Sequence, residues 1–368
     1  MKTLRIGMLG YGSMGHTHHY AIDAMRHFYP DLPYRAEIVR LCARSESTLD
    51  AARAAGIPEV TTREDDILTA PDIDIVDICT PNVYHAETAR RALEAGKHIY
   101  CEKPLCVTAD EARGLAALAE MQGVVNQVVF NTRFLPAIRR AKQLCDEGAL
   151  GRILSFRCAY LHASCTDPEK PAGWKQNRDI CGGGVWFDLG SHAVDLIFHL
   201  CGPIAEIRGH GQIGHPVRRG ADGGEWVTNA DEAFYTFATL QNGACGTFEA
   251  NKLALGANDD LTLELYGDRG AIRFSLMEPN WLWFYSTDAP AGDFGGMRGF
   301  TRIECVGRVS APAYPLGGQK APVGWLRGHM ESYHSFLDCV AAGRQASPSF
   351  AEAAHVQWAL CRAMESER

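Results

Sequence analysis

The fold of this chain is decided by the stretch Arg5-Ile6-Gly7-Met8-Leu9-Gly10-Tyr11-Gly12-Ser13-Met14-Gly15. A short apolar strand runs directly into a Gly-x-Gly-x-x-Gly turn, and a helical pattern of apolar residues follows. The glycines permit a tight turn and let backbone N–H groups at the helix N-terminus approach a pyrophosphate without an intervening side chain. The pattern predicts a dinucleotide-binding turn made by Gly10, Gly12, Ser13, Met14 and Gly15.

Strands and helices alternate after this motif, which predicts a doubly wound parallel sheet. Buried-looking strands are predicted at residues 37–42, 73–79, 98–101 and 124–130, and helices at 86–95 and 109–121. Ligands of such sheets bind at the carboxyl ends of the strands. We therefore predict that the cofactor contacts the residues that follow these strands, namely Arg44, Ser45, Thr80, Pro81, Asn82, His85, Glu102, Lys103 and Asn131.

The second strand ends in Ala43-Arg44-Ser45, where an NAD enzyme usually places an acidic residue on the ribose 2′-hydroxyl. A guanidinium in place of that carboxylate suits a 2′-phosphate, so this end favours NADP over NAD. Arg44 could equally stack on adenine or lie in solvent. Both cofactors therefore stay open.

A second polar motif lies within the run Gly183-Gly184-Val185-Trp186-Phe187-Asp188-Leu189-Gly190-Ser191-His192-Ala193-Val194-Asp195. A helix that starts near Asp188 places Asp188, His192 and Asp195 on one face, since positions i, i+4 and i+7 fall within roughly 60° of each other. The other side chains are apolar enough to be buried, which favours a strip lining a cleft over a solvated face. An Asp and a His one turn apart can orient and exchange a proton.

Four motifs in this order and spacing resemble the Gfo/Idh/MocA family of glucose-fructose oxidoreductases and inositol dehydrogenases. They are Gly10-x-Gly12-x-x-Gly15, Thr80-Pro81-x-x-x-His85, Glu102-Lys103-Pro104 and Gly183-Gly184-x-x-x-Asp188-x-Gly190-x-His192-x-x-Asp195. The resemblance covers essentially the whole chain. Residues 151–157 and 347–350 are similar to the branch that contains levoglucosan dehydrogenase, whereas the glycine-rich insert after Asp288 departs from it.

Strands with period-two alternation replace the strand–helix alternation after Leu150-Gly151. They are predicted at residues 153–161, 234–240, 244–251, 261–266, 271–274 and 281–285, with helices at 188–200, 327–340 and 350–364. We expect a Rossmann dinucleotide-binding domain over residues 1–130 and an α+β substrate-binding and oligomerisation domain over 131–368. The second domain should be an open, mainly antiparallel sheet with helices on one face, and its last helices should pack on the first domain.

The predicted sheet leaves one face uncovered, which predicts a homodimer or homotetramer formed through it. The family resemblance implies the same assemblies. The resemblance also implies that the loop carrying Trp174 and Lys175 reaches over the nicotinamide or the pyrophosphate. A packing tryptophan beside a solvated lysine is the alternative, and it stays open.

Composition excludes several other classes of protein. The 368 residues suggest two domains, and the net charge of −8 without a Lys/Arg cluster argues against nucleic acid or an anionic membrane as partner. No apolar run approaches the roughly 20 residues of a spanning helix, and the start of the chain reads as a strand, so we expect a cytoplasmic location. The 13 cysteines are scattered without a Cys-x-x-Cys pair, which favours reduced thiols.

No metal site is predicted. The tract His16-Thr17-His18-His19 has suitable side chains, but it lies in the first turns of the phosphate-binding helix. No cysteine or carboxylate is spaced to complete a site with it.

These motifs predict an NAD(P)-dependent dehydrogenase that oxidises a secondary hydroxyl of a sugar, glycoside or cyclic polyol to a ketone. We assign His192 as general base, Lys103 as the electrostatic partner that lowers the alcohol pKa, and Asp188 as the group that orients neighbouring hydroxyls. Two other classes stay open. One is redox-assisted glycoside cleavage with tightly bound NAD, and the other is a non-catalytic dinucleotide or sugar sensor, which would be expected to lack the lysine or the histidine.

Overall fold

The computed structural model describes residues 2–29, 31–220, 223–306 and 322–366, and the chain divides into two compact units. The first unit comprises Met1–Asn131 and Trp325–Gln357. The second comprises Thr132–Gly324 and Trp358–Arg368. Within the described ranges, no helix is both long and apolar enough to cross a membrane.

The first unit is built on a six-stranded parallel sheet with strand order β3-β2-β1-β4-β5-β6. This is the order of doubly wound dinucleotide-binding sheets, so the predicted parallel fold is confirmed. Its elements in chain order are β1 (Lys2–Leu9), α1 (Ser13–Phe28), β2 (Tyr34–Cys42), α2 (Glu46–Ala54), β3 (Glu59–Thr61), α3 (Asp65–Leu68), β4 (Ile75–Ile78), α4 (His85–Glu94), β5 (His98–Cys101), α5 (Ala109–Gln122) and β6 (Asn126–Val128).

The central strands of this sheet are buried and mostly apolar, as is usual where helices cover both faces. All four residues of β4 are buried, as are three of the four in β5. Helix α5 begins with a capping box, in which Thr108 and Glu111 each accept a hydrogen bond from the other's backbone N–H, and it ends at Gly123 with a φ of 64°. These are the start and stop signals of an ordinary helix, and the sequence carries them at the predicted bounds.

The second unit is built on an eight-stranded mixed sheet with strand order β16-β15-β14-β13-β7-β12-β11-β8, beside a two-stranded hairpin of β9 and β10. Its elements are α6 (Pro136–Asp146), β7 (Ile153–Leu161), α7 (Arg178–Cys181), α8 (Ser191–Cys201), β8 (Ile204–Gln212), β9 (Val217–Arg219), β10 (Glu225–Val227), β11 (Ala233–Leu240), β12 (Cys245–Asn251), β13 (Asp260–Gly267), β14 (Gly270–Ser275), β15 (Trp281–Ser286) and β16 (Thr301–Glu304).

Helices α9 (Trp325–Ala342) and α10 (Phe350–Glu365) follow, and α9 packs on α1 in the first unit. Helix α10 begins in the first unit and ends in the second. The apolar pattern of the sequence predicts both helices.

The mainly antiparallel character predicted for the second sheet is confirmed, with one exception that matters for the site. Strands β7 and β12 pair in parallel, so that Leu161 lies opposite Asn251 at their carboxyl ends. All six predicted strands are present within one residue at each end, whereas the sequence pattern does not predict β8, β9, β10 and β16. Two glycines and four polar or charged side chains interrupt the apolar pattern of β8, which explains the omission.

Helices α6 and α8 pack on this sheet, and α8 contacts β7 and β12. The prediction of a helix from Asp188 is wrong in its start. Residues Trp186–Gly190 form a π-helical turn, and the α-helix begins only at Ser191.

Candidate active site

Each of the three positions in the first turn is a glycine for a different physical reason. Gly10 has a φ of 91°, and a Cβ there would lie 2.6 Å from the Cys79 carbonyl oxygen. A Cβ on Gly15 would lie 2.7 Å from the Gly10 carbonyl oxygen. A Cβ on Gly12 would meet nothing within 4 Å. The fold therefore requires Gly10 and Gly15, whereas Gly12 leaves open space at the start of α1.

The N-terminus of α1 fits a dinucleotide phosphate. Gly12 is its N-cap residue, no side chain caps the helix, and its first turn carries no acidic residue. The hydroxyl of Thr80 is buried and has no hydrogen-bond partner within the described part of the chain. Uncapped N–H groups at a helix start bind anions. Gly12, Ser13, Met14 and Gly15 are therefore suited to hold the pyrophosphate.

Arg44 and Ser45 lie at the end of β2. The Arg44 guanidinium stacks over the Tyr84 ring at 4.3 Å and donates to the Tyr84 hydroxyl at 3.2 Å. The Ser45 hydroxyl caps α2 by accepting the Thr48 N–H at 3.3 Å. The exposed Arg44 is therefore held by an aromatic ring, which leaves its charge available to an anionic ligand.

His85 joins the two loops that carry the other predicted cofactor contacts. Its Nδ1 lies 2.8 Å from the Pro104 carbonyl oxygen and its Nε2 lies 2.7 Å from the Thr80 carbonyl oxygen. The side chain is completely buried. His85 thus fixes the Thr80-Pro81-Asn82 segment against the Glu102-Lys103-Pro104 segment.

Lys103 follows β5, and Glu102 beside it is buried. The Glu102 carboxylate lies 3.1 Å from His18 Nε2 and also accepts the Lys103 backbone N–H at 3.2 Å. Burial alone raises the pKa of Glu102, but the hydrogen bond from His18 and its charge lower that pKa to about 2. Glu102 is therefore an ionised group inside the first unit.

In the second unit, Gly184 brings the chain close to Asp231. The Asp231 carbonyl oxygen accepts the Val185 N–H at 2.8 Å, and its carboxylate accepts the Trp186 N–H at 3.0 Å. Gly184 has a φ of 49°, and a Cβ there would collide with the Asp231 backbone. These contacts fix the π-helical turn that carries Asp188.

Two lysines bind one oxygen of Asp188. Lys252 Nζ donates to Oδ2 at 2.6 Å, and Lys175 Nζ donates to the same atom at 2.8 Å. The Lys252 side chain is only 8% exposed, whereas that of Lys175 is 44% exposed. Burial lowers the pKa of Lys252, but the charge of Asp188 and the hydrogen bond to it raise that pKa overall. Asp188 is therefore held as an ionised, hydrogen-bonding carboxylate.

His192 lies in the first turn of α8 and is nearly buried. Its ring meets the Tyr160 ring edge-on at 5.8 Å. Asp259 accepts the Tyr160 hydroxyl at 2.6 Å and lies 2.9 Å from His162 Nε2. Burial raises the pKa of Asp259, but the bonds from His162 and Tyr160 lower it overall. Tyr160 thus connects the imidazole of His192 with the Asp259–His162 pair within the second unit.

Asp195 does not share the surroundings of Asp188. Both its oxygens bind the buried Arg133 guanidinium, with Nε at 2.8 Å and Nη2 at 2.5 Å. The expected single polar strip of three residues is therefore divided, and Asp195 forms a buried ion pair away from Lys252 and Lys175.

The predicted site residues are distributed over both units. Lys103 and the predicted cofactor residues up to Asn131 belong to the first, whereas Trp174, Lys175, Asp188 and His192 belong to the second. The proton path from His192 to Lys103 and the cofactor contacts of Trp174 and Lys175 stay predictions.

Sequence reasoning missed Lys252, Tyr160 and His162. All three lie at the carboxyl ends of β7 and β12, the one parallel pair of the second sheet. They occupy the same kind of position as Lys103, at the carboxyl end of a parallel strand, but the alternating pattern of this sheet predicts antiparallel pairing.

Comparison with known proteins gives concordant similarities over both parts of the chain. Residues 4–130 match the model described as an oxidoreductase family with an NAD-binding Rossmann fold, and residues 138–273 match the GFO/IDH/MocA C-terminal domain. Levoglucosan dehydrogenase of Pseudarthrobacter phenanthrenivorans is 35% identical, over 96% of this chain and 93% of its own length.

A solved structure of levoglucosan dehydrogenase in complex with NADH and levoglucosan has a TM-score of 0.92 at 32% identity, covering 100% of this chain and 97% of that one. An NADP-dependent scyllo-inositol 2-dehydrogenase of Bacillus subtilis is 30% identical over 55% of this chain and 53% of its own.

Proposed function

The chain belongs to the GFO/IDH/MocA family of NAD-binding oxidoreductases, and we propose that it oxidises a secondary hydroxyl of a sugar, glycoside or cyclic polyol to a ketone. When bound, the nicotinamide cofactor supplies the acceptor for the hydride that leaves the carbinol carbon. The hydroxyl proton passes to the protein. What this chain contributes is the position of the substrate hydroxyl and the acceptor for its proton.

The observation that carries this proposal is the double lysine contact of Asp188. Because two ammonium groups donate to one of its oxygens, the carboxylate is held ionised and serves as a hydrogen-bond acceptor for substrate hydroxyls. That leaves the imidazole of His192, one turn further along, to accept the proton. Lys103, as a cation, stabilises the developing negative charge on the substrate oxygen.

We propose NAD or NADP as cofactor, with Arg44 as the residue that discriminates between them. Its guanidinium follows β2, the strand end at which dinucleotide enzymes contact the ribose 2′ position, and a charge-assisted pair with a 2′-phosphate there would favour NADP. Levoglucosan dehydrogenase has been solved with NADH, which supports the use of NAD by this branch.

A pyranose or anhydro-sugar is the substrate class that the relatives support best. Levoglucosan dehydrogenase aligns with this chain almost from end to end, whereas the inositol dehydrogenase aligns over about half. We propose that Asp188 and Lys252 together contact vicinal hydroxyls, because an acceptor and a donor 2.6 Å apart match the two ends of a diol.

One observation favours redox-assisted glycoside cleavage as a second candidate. That reaction needs a further base, because oxidation at a ring carbon makes the neighbouring C–H acidic and the glycosidic bond then breaks by elimination. His162, paired with Asp259 and packed on the same tyrosine as His192, is suited to that role. Cofactor that stays bound through gel filtration, together with release of the aglycone, would support this candidate.

The proposed function is tested by a substrate screen. Purified protein is incubated with anhydro-sugars, pyranoses, glycosides and inositols and with NAD or NADP, and reduced nicotinamide is followed by its absorbance. We expect turnover with at least one substrate, and about 10²- to 10⁴-fold lower kcat in His192→Ala and Lys103→Ala with cofactor affinity retained. Binding of the cofactor without turnover of any substrate would favour the sensor class instead.

A further inference from the structure

Three buried ionisable side chains, His18, Asp77 and Glu102, lie next to the segment that carries Lys103. His18, on α1, places Nδ1 2.9 Å from Asp77 Oδ1 and Nε2 3.1 Å from Glu102 Oε1. The side chains of His18 and Asp77 are at most 1% exposed. Because Glu102 Oε2 accepts the Lys103 backbone N–H, one imidazole connects β4 with the residue before the proposed catalytic lysine.

The charges of His18, Asp77 and Glu102 stabilise one another. Burial lowers the pKa of His18, but the charge of Asp77 and the hydrogen bonds with Asp77 and Cys79 raise it well above its usual value. The Tyr333 hydroxyl donates to Asp77 at 3.0 Å. An imidazolium between two carboxylates is therefore the state that these contacts favour.

A purely structural role would be served as well by apolar side chains. Removing ions from water costs several kcal/mol per ion, and apolar replacements of similar volume are often neutral or stabilising. Hydrogen bonds between charged groups fix the orientation of the groups that they join, which apolar contacts do not. Here the hydrogen bond from His18 fixes the orientation of the Glu102 carboxylate, and that carboxylate in turn fixes the backbone of Lys103.

We propose that His18 is a positioning residue for Lys103, acting through the Glu102 carboxylate. The inference rests on the proposed function, in which Lys103 is catalytic. His18 lies one turn beyond Gly15 on the helix that starts at the phosphate-binding turn, so the same helix that would hold the cofactor also fixes the lysine.

The titratable groups that face Glu102 come from several elements packed around it: His18, Cys79, His85, Tyr100, Cys101, Lys103 and His329. Burial lowers the pKa of His329 to about 3 and also lowers the pKa of His85, so neither offers a replacement charge at neutral pH. Without His18, burial would raise the pKa of Glu102, and the charge of Lys103 would be left to oppose that rise.

The test replaces His18 by Gln, which keeps polarity and size but has no positive charge. We expect kcat to fall about 10²-fold, the loss that a displacement of a catalytic group by about 1 Å can produce, with KM and cofactor affinity changed by less than about threefold. The pH profile of log kcat should fall more steeply on its acidic side than in the wild type, because Glu102, with its pKa raised, takes up a proton there.

A double-mutant cycle separates this role from simple destabilisation. If His18 acts through Glu102, the loss in kcat caused by His18→Gln should be much smaller in a Glu102→Gln background than in the wild type. His98→Asn is the matched control. His98 lies at the other end of β5, where its Nδ1 accepts the Val125 N–H at 3.0 Å, so this variant should lower stability without changing kcat.

Asp77→Asn replaces His18→Gln as the test if His18→Gln does not fold. It keeps the imidazole and removes only the negative charge of the carboxylate beside His18 Nδ1. It should lower kcat in the same sense and to a smaller degree. Normal kcat in both folded variants of an active enzyme would overturn the inference and leave the proposed function intact. An inactive wild type would overturn both, because there would be no lysine chemistry to position.

A metal ion bound by His18 would also overturn the proposal that His18 positions Lys103. The ligand atoms of His18, Glu102 and His329 lie within 4.8 Å of one another. We interpret the group as an ion-pair network, because both ring nitrogens of His18 already contact carboxylates. Activity lost on dialysis against a chelator and restored by Zn²⁺ would show that the imidazole binds metal.

Discussion

Replacing Lys252 by Met should destabilise the second unit substantially, whereas Lys175→Met should not. Both ammonium groups bind the same oxygen of Asp188, at 2.6 and 2.8 Å. They differ in exposure, with the Lys252 side chain 8% exposed and that of Lys175 44% exposed. The two variants therefore test how burial changes the contribution of an ion pair to stability when the N–O distance is nearly the same.

The magnitude follows from the two surroundings. At 2.6 Å and an effective dielectric constant of about 20, the Lys252–Asp188 attraction is about 6 kcal/mol, from which the desolvation of the ammonium must be subtracted. Removing one partner of a buried pair costs about 3 to 5 kcal/mol, and Lys175 partly compensates here, so we expect a loss of about 2 to 3 kcal/mol. The exposed Lys175 pair should contribute less than about 1 kcal/mol.

Urea unfolding followed by tryptophan fluorescence measures both variants, since Trp186 is buried in the second unit. Each is also combined with Asp188→Asn in a double-mutant cycle. The Lys252 cycle should give a coupling of about 2 kcal/mol and the Lys175 cycle less than about 0.5 kcal/mol. Equal losses for the two lysines, or no coupling between Lys252 and Asp188, would refute the reasoning.

Four further predictions concern the cofactor, the subunit contact and pH. Gly12→Val should abolish dinucleotide binding in calorimetry while leaving the melting temperature nearly unchanged, because its Cβ position is open; retained affinity would exclude this turn as the cofactor site. Arg44→Ala should weaken NADP by about 1.5 to 3 kcal/mol and NAD much less, and equal losses would indicate stacking on adenine. Phe237, 58% exposed on β11, should contribute to an oligomer interface, so that Phe237→Glu lowers the mass measured by light scattering; a wild-type monomer would contradict this. Burial raises the pKa of Asp231 to about 7. The folded state therefore binds a proton that the unfolded state has lost, and this stabilisation disappears as pH rises from about 4 to 7. Asp231→Asn should accordingly gain stability relative to the wild type at pH 8, by up to about 4 kcal/mol, and little at pH 4; a gain independent of pH would contradict it.

Most of the fold could be predicted because it follows from local patterns. The glycine turn after β1, the capping box at Thr108 and the alternation in β7 are each contained within a few residues. Pairing between distant strands is different. No local pattern in β7 or β12 indicates that the two strands run parallel. Their relative direction depends on how the intervening segments cross between them. The π-helical turn was also unpredictable, since the contacts that fix it come from Asp231, more than forty residues away.

Part of the candidate site could be predicted for the same reason. Lys103 and His192 were found because each stands beside a recognisable local motif. Lys252 and His18 were not assigned a role, because their meaning depends on partners from other elements. The Lys252 ammonium becomes significant only beside Asp188, and the His18 imidazole only between Asp77 and Glu102. The number and order of motifs predicted the chemistry, but not which charges would be buried together.

Asp188 and Asp195 show why helical spacing alone is insufficient. The sequence places both on the face that carries His192, seven residues apart, and gives no reason to separate them. The structure gives Asp195 a buried guanidinium that occupies both oxygens, and gives Asp188 two ammonium groups on one oxygen at a partly exposed position. A carboxylate whose two oxygens are taken by one rigid partner can fix a helix but has little capacity left for a ligand. The partners, which come from residues 133, 175 and 252, therefore decide which carboxylate is suited to bind a substrate hydroxyl.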